Sequence, residues 1–258
     1  MSAFWAPTLC FLVAVMAASA DNPEGGRVIR AFVSGFEPFG TLTSNPSQDV
    51  AQALGGTCIT MNSTKICFDS VVLPVNHDGA QYFAHYLSNL PAGQSNYDCV
   101  IHMGVYAGSA DIHIETVAAN IMAETSGGSI FADSLPFLPI TADLQRIQID
   151  DLLPNELAPL VASSRGKGTS SGRLVEWSRD AGTFYCNETL YRTLCAIRTG
   201  LVQGRRPSSI PRAAAPPGRS LLPAVFVHLP LEDAVPLRVD LAVVQRLAAA
   251  LVDPSLLA

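Results

Sequence analysis

Cys186 and His228 are the residues whose types and settings best suit covalent chemistry. Cys186 follows Asp180-Ala181-Gly182-Thr183-Phe184-Tyr185, at the predicted opening of a helix. A thiol there feels the positive end of the helix dipole, which favours the reactive thiolate. Backbone N–H groups of the same turn can receive an oxyanion. From position alone a buried structural cysteine fits as well. His228 closes the apolar run Val225-Phe226-Val227, a predicted buried strand. Sites in open α/β sheets gather at the carboxyl ends of strands, although a packing histidine would sit there equally well. Asp111, His113 and Glu115 alternate, so on a strand they share one face. That set could bind a metal, orient a histidine, or form a solvated face. His77, His85 and His102 stand alone in the sequence and receive no role.

Other chemical signals are weaker. Gly104-Val105-Tyr106-Ala107-Gly108 lacks the spacing and acidic partner of a dinucleotide turn, and Gly166-Lys167-Gly168 lacks the remainder of a phosphate loop. No Gly-x-Ser-x-Gly, His-Glu-x-x-His or Cys-x-x-Cys occurs.

The elements that must position these residues alternate between strands and helices. Strands are predicted at Val28–Ser34, Phe68–Val75, Cys99–Gly104, Asp111–Ala119, Arg173–Ser178 and Ala224–His228. Asn45-Pro46 predicts a capped helix running to Leu54. Phe83, Tyr86, Leu87 and Leu90 place an amphipathic helix over Asp78–Leu90. Further helices are expected from Cys186 to Ile197 and along the Leu237–Leu251 stripe. The alternation implies an α/β fold, a single-domain α/β/α sandwich around a twisted, mostly parallel mixed sheet. Gly200–Leu221, rich in Arg, Pro and Ser, reads as a long exposed loop; Glu124–Ile140 and Ser163–Gly172 read as irregular.

Composition narrows the function classes. The chain has 258 residues, 48% hydrophobic and 15% charged, with mean hydropathy +0.28. This composition supports a large core and excludes a disordered chain. Sixteen basic against 22 acidic residues give a net charge of −6, which offers no positive field for nucleic acid. Thr8–Ala18 is apolar but too short to span a bilayer, and Ala18-Ser19-Ala20 resembles a cleavage site. Residues 1–20 therefore read as a secretory signal peptide, despite lacking Lys and Arg, with 21–258 as the single mature domain. The expected location is the secretory pathway, extracellular or lysosome-like, and cytosolic if the signal reading fails. Five cysteines remain after residue 20, an odd number. Cys58 and Cys67 flank a predicted hairpin tip and either pair or remain as packing thiols. Asn62-Ser63-Thr64 and Asn187-Glu188-Thr189 match the glycosylation pattern, the second lying beside Cys186.

Four segments together resemble pyroglutamyl peptidase I, a family of cysteine peptidases. They are Gly35-Phe36-Glu37-Pro38-Phe39-Gly40 with Asn45-Pro46-Ser47, Glu115-Thr116-Val117-Ala118-Ala119-Asn120, Asp180 to Asn187, and Phe226-Val227-His228-Leu229-Pro230. The resemblance implies hydrolysis of an N-terminal pyroglutamyl residue from peptides. It assigns Cys186 as nucleophile, His228 as acid–base and Glu115 as the group orienting it. It further implies substrate contacts from Phe36, Phe39, Asn45 and Phe184, with Tyr185 beside them, and no cofactor or metal. Val105 stands where many bacterial members carry Gln, and Thr125 where they carry Arg. Two other readings stay open: an inactive secreted homologue that binds peptides or partners, and a metal hydrolase built on Asp111, His113 and Glu115.

Overall fold

The computed structural model describes residues 28–122, 139–142, 144, 147–160, 174–204, 221–231 and 233–257. The signal segment 1–20, Thr125, residues 161–173 and the centre of the Gly200–Leu221 loop lie outside them. The strands are β1 (Val28–Phe36), β2 (Cys58–Met61), β3 (Thr64–Leu73), β4 (Cys99–Val105), β5 (Ile112–Glu115), β6 (Val117–Ala118), β7 (Ile140–Thr141), β8 (Val175–Ser178) and β9 (Ala224–Leu229). The helices are α1 (Pro46–Leu54), α2 (His77–Ser88), α3 (Tyr185–Thr199) and α4 (Leu237–Val252).

Seven strands form one sheet in the order β2-β3-β1-β4-β9-β5-β8. β1 pairs in parallel with β3 and β4, β4 with β9, and β5 with β8, whereas β2–β3 and β5–β9 are antiparallel. The central strands β4 and β9 are buried almost throughout, as a sheet covered on both faces requires. One apolar layer joins Ile101, Val225 and Val227 to Val50 and Leu54 of α1 and to Val243, Val244 and Leu247 of α4. The opposite layer joins Val100 and Phe226 to Phe83 of α2 and to Leu190 and Leu194 of α3. The result is the α/β/α sandwich with a mixed, mostly parallel sheet that the alternation implied.

Local chemistry sets the element ends. Asn45 accepts a hydrogen bond from Ser47 N–H at 3.1 Å, and Pro46 occupies the first turn of α1. α2 begins one residue before the expected start, because Asn76 accepts from the Gly79 N–H at 2.9 Å. The segment expected as one strand, Asp111–Ala119, is two. Thr116 N–H donates to Ser178 O at 3.0 Å as β8 ends, and Ala142 N–H then claims Thr116 O at 2.7 Å. The chain thereby leaves the main sheet and pairs β6 with β7. Asn62 and Ser63, at φ 43° and 63°, make the two-residue turn joining β2 to β3. Cys58 and Cys67 face each other across that hairpin and form a disulfide. Among the described residues no helix is long and apolar enough to cross a membrane.

Candidate active site

The segment leading into Cys186 is shaped by its own short-range bonds. Asp180 Oδ1 accepts the Gly182 N–H at 3.0 Å, and Gly182 turns the chain at φ 75°, where glycine carries no steric cost. Phe184 is the extended cap residue, and α3 begins at Tyr185. Cys186 therefore lies in the first turn of α3, half-buried, with a free thiol. Its sulfur rests over Gly104 at the carboxyl end of β4. A Cβ on Gly104 would stand 3.0 Å from Cys186 Sγ and 2.8 Å from the Phe226 ring.

Asn187 locks this helix start to the chain beyond β6. Its side chain accepts from Ala119 N–H at 2.9 Å and donates to Ala119 O at 2.8 Å and Ile121 O at 2.9 Å. Asn187 is 2% exposed, so its match to the glycosylation pattern has no accessible amide behind it.

The antiparallel pairing of β5 with β9 brings Glu115 and His228 onto one face. His228 Nδ1–H donates to Glu115 Oε1 at 2.9 Å, and Glu115 Oε2 accepts the Asp180 N–H at 3.2 Å. Glu115 is buried, so these donors replace the water it has lost. Cys186 is the imidazole's other interacting neighbour. Burial alone would depress the His228 pKa. The bonds to Cys186 and Glu115, with their negative charge, outweigh it and push His228 up to about 9. A thiol at a helix N-terminus with an imidazole beside it is an arrangement suited to nucleophilic attack.

The expected substrate contacts differ in setting. Phe39 and Phe184 are exposed at 38% and 45%, Tyr185 is half-buried with its ring 4.4 Å from Phe184, and Phe36 is buried in the core at the end of β1. Asn45 is fully buried; besides capping α1 it donates to Glu37 O at 3.1 Å, so it fixes the loop that carries Phe39. Asp111, His113 and Glu115 do not converge on one point. His113 Nε2 bonds Ser109 Oγ at 3.0 Å and lies 3.3 Å from Glu176, while Glu115 serves His228. Among the described residues no group of three His, Cys, Asp or Glu could hold a metal ion.

Several residues around the site carried little signal in the sequence. Glu188, in the turn after Cys186, is fully buried and accepts from His77 Nδ1–H and Arg192 Nε–H, each at 2.7 Å. His77, read as a lone histidine, lies edge-on 5.3 Å from the Tyr185 ring. His102 is buried between Ser34 Oγ at 2.7 Å and Thr193 Oγ1 at 3.0 Å, tying β1 and β4 to α3. Burial drives its pKa down to about 3, which keeps it neutral. Tyr106, from the stretch set aside as a failed nucleotide turn, lies 5.8 Å from the His228 ring and 5.5 Å from His113. A cleft of about 390 Å³ opens beside the site between Thr116, Val117, Thr141, Ala142, Trp177 and Arg179, away from Cys186.

The sequence matches the profile of the pyroglutamyl peptidase family over residues 29–133. It is 27% identical to a pyrrolidone-carboxylate peptidase of Mycobacterium marinum over 177 residues, covering 66% of this chain and 71% of that protein. It is 29% identical to one from Bacillus cereus over 159 residues, 62% of this chain and 66% of that protein. The fold is similar to that of Bacillus amyloliquefaciens pyroglutamyl peptidase I, with TM-score 0.55, 18% identity, and 88% of this chain and 97% of that one covered. It is also similar to the Thermococcus litoralis pyrrolidone carboxyl peptidase, with TM-score 0.54, 19% identity, and 86% and 91% covered. The family match covers β1, β4 and β5 and ends before Cys186 and His228. By sequence over part of its length and by fold over most of it, the chain is similar to the pyroglutamyl peptidases.

Proposed function

We propose that the chain is a cysteine peptidase that removes N-terminal pyroglutamate from peptides by acyl transfer. The observation that carries this reading is the His228 imidazole held between the Cys186 thiol and the buried Glu115 carboxylate. In the reaction, Cys186 sulfur forms a bond to the pyroglutamyl carbonyl carbon. Backbone N–H groups at the start of α3 receive the oxyanion. The C–N bond then breaks, and His228 delivers its proton to the leaving nitrogen. Water attacks the thioester, giving its proton to His228, and the thiolate departs. Glu115 keeps His228 oriented throughout and stabilises its protonated form before and after each transfer. Phe39, Phe184 and Tyr185 supply apolar walls for the neutral lactam, Phe36 backs them from the core, and Asn45 fixes the loop.

Residues 1–20 serve in this reading as a secretory signal, and 21–258 as the catalytic domain working in an extracellular or lysosome-like compartment. The apolar run ending at Ala18-Ser19-Ala20 and the Cys58–Cys67 disulfide support that location. The test is hydrolysis of a fluorogenic pyroglutamyl amide by the purified protein in reducing buffer. Wild type is expected to release the fluorophore and Cys186→Ala to release none. Equal turnover by the two would overturn the assignment.

A further inference from the structure

We propose that Tyr106 is the platform for the residue following pyroglutamate, and that it favours substrates with an aromatic side chain at that position. The inference rests on the peptidase reading above. Tyr106 is 47% exposed, and its ring is braced by Gly108 and His113. Its N–H donates to Leu229 O at 2.9 Å, and its carbonyl accepts the Ser109 N–H at 3.2 Å, so the turn after β4 is tied to the end of β9. Gly108 backs the ring, since a Cβ there would lie 3.0 Å from it. His113, itself held by Ser109 and Glu176, meets the ring edge-on at 5.5 Å.

Reaction chemistry decides which part of a substrate meets this ring. His228 must pass its proton to the leaving nitrogen, so the first residue of the leaving peptide departs alongside the imidazole. Among the described residues, Tyr106 is the exposed aromatic whose ring contacts His228, at 5.8 Å. A preheld ring offers contact area at small entropic cost, and aromatic pairs contribute beyond their buried area.

The test compares kcat/KM for two peptides that differ only in Phe or Ala after the pyroglutamyl residue. Wild type is expected to favour Phe roughly 3- to 10-fold, the scale of one aromatic pair. Tyr106→Ala should bring the Phe/Ala ratio close to one, and Tyr106→Phe, which keeps the ring, should retain it. Gly108→Ala, which displaces the ring while leaving Tyr106 in place, should also lower the ratio and covers the case in which Tyr106→Ala fails to fold. A general disturbance of His228 would lower both substrates equally and leave the ratio unmoved. An unbiased wild type, or a ratio unchanged in Tyr106→Ala or, where that variant does not fold, in Gly108→Ala, would overturn the platform while leaving the peptidase reading intact. Failure of wild type to cleave either peptide would overturn the peptidase reading and the platform with it.

Discussion

His228 sits where burial opposes its charge, yet it remains charged because Cys186 and Glu115 both stabilise the imidazolium. This balance orders the expected losses. Cys186→Ala removes the covalent route and should abolish turnover, and Cys186→Ser should be nearly inactive, because a hydroxyl is the poorer nucleophile. His228→Ala should cost on the order of 10²–10⁴-fold in kcat/KM. Glu115→Gln should cost less, since the amide still accepts a hydrogen bond but carries no charge. The pH dependence follows from the same residue. The raised His228 pKa means that its charge stabilises the fold fully below about 6.5, and that this contribution is lost as pH rises through about 9. Above that point the ion pair and the general acid disappear together, so kcat/KM should fall on an alkaline limb near 9. Glu115→Gln should move that limb to lower pH. A limb that stays in place would show that Glu115 does not hold the proton on His228.

At the scale of elements, α1 was legible in Asn45-Pro46 and α4 in its apolar stripe, because caps and helical period are local properties. Which strands become neighbours is not local. Glu115 and His228 are 113 residues apart, and they meet only because β5 inserts antiparallel beside β9. Residue type and the family resemblance singled both out; alternation alone left Glu115 equally compatible with a metal set or a solvated face. Gly104 was overlooked for a related reason. Its need for no side chain comes from Cys186 and Phe226 across the layer, not from its own backbone. Gly104→Ala tests this. The added methyl would meet Cys186 Sγ at 3.0 Å and the Phe226 ring at 2.8 Å, both movable side-chain atoms. The strand should survive with a small loss in melting temperature, while displacement of the nucleophile should lower kcat by roughly 10- to 100-fold. Wild-type kcat in Gly104→Ala would show that the packing beneath Cys186 does not position it.

The whole molecule separates two kinds of sulfur chemistry. The Cys58–Cys67 disulfide lies in the β2–β3 hairpin at one edge of the sheet, whereas Cys186 lies over β4 on the α3 face. The other two cysteines of the described residues, Cys99 and Cys195, are 0% and 5% exposed, and burial raises the pKa of both thiols. Among the described free cysteines, the fold leaves Cys186 as the accessible thiol, set apart from the disulfide. Iodoacetamide applied to the folded protein without reductant should modify Cys186 alone among these five, with complete loss of activity. Peptide mapping after denaturation should recover Cys58 and Cys67 still joined. Mild reduction should open the hairpin bond with activity retained and with less than the ~3 kcal/mol of stability assigned to closing a fifteen-residue loop. Rapid labelling of Cys99 or Cys195 in the native protein would contradict this separation, as would loss of turnover on reduction.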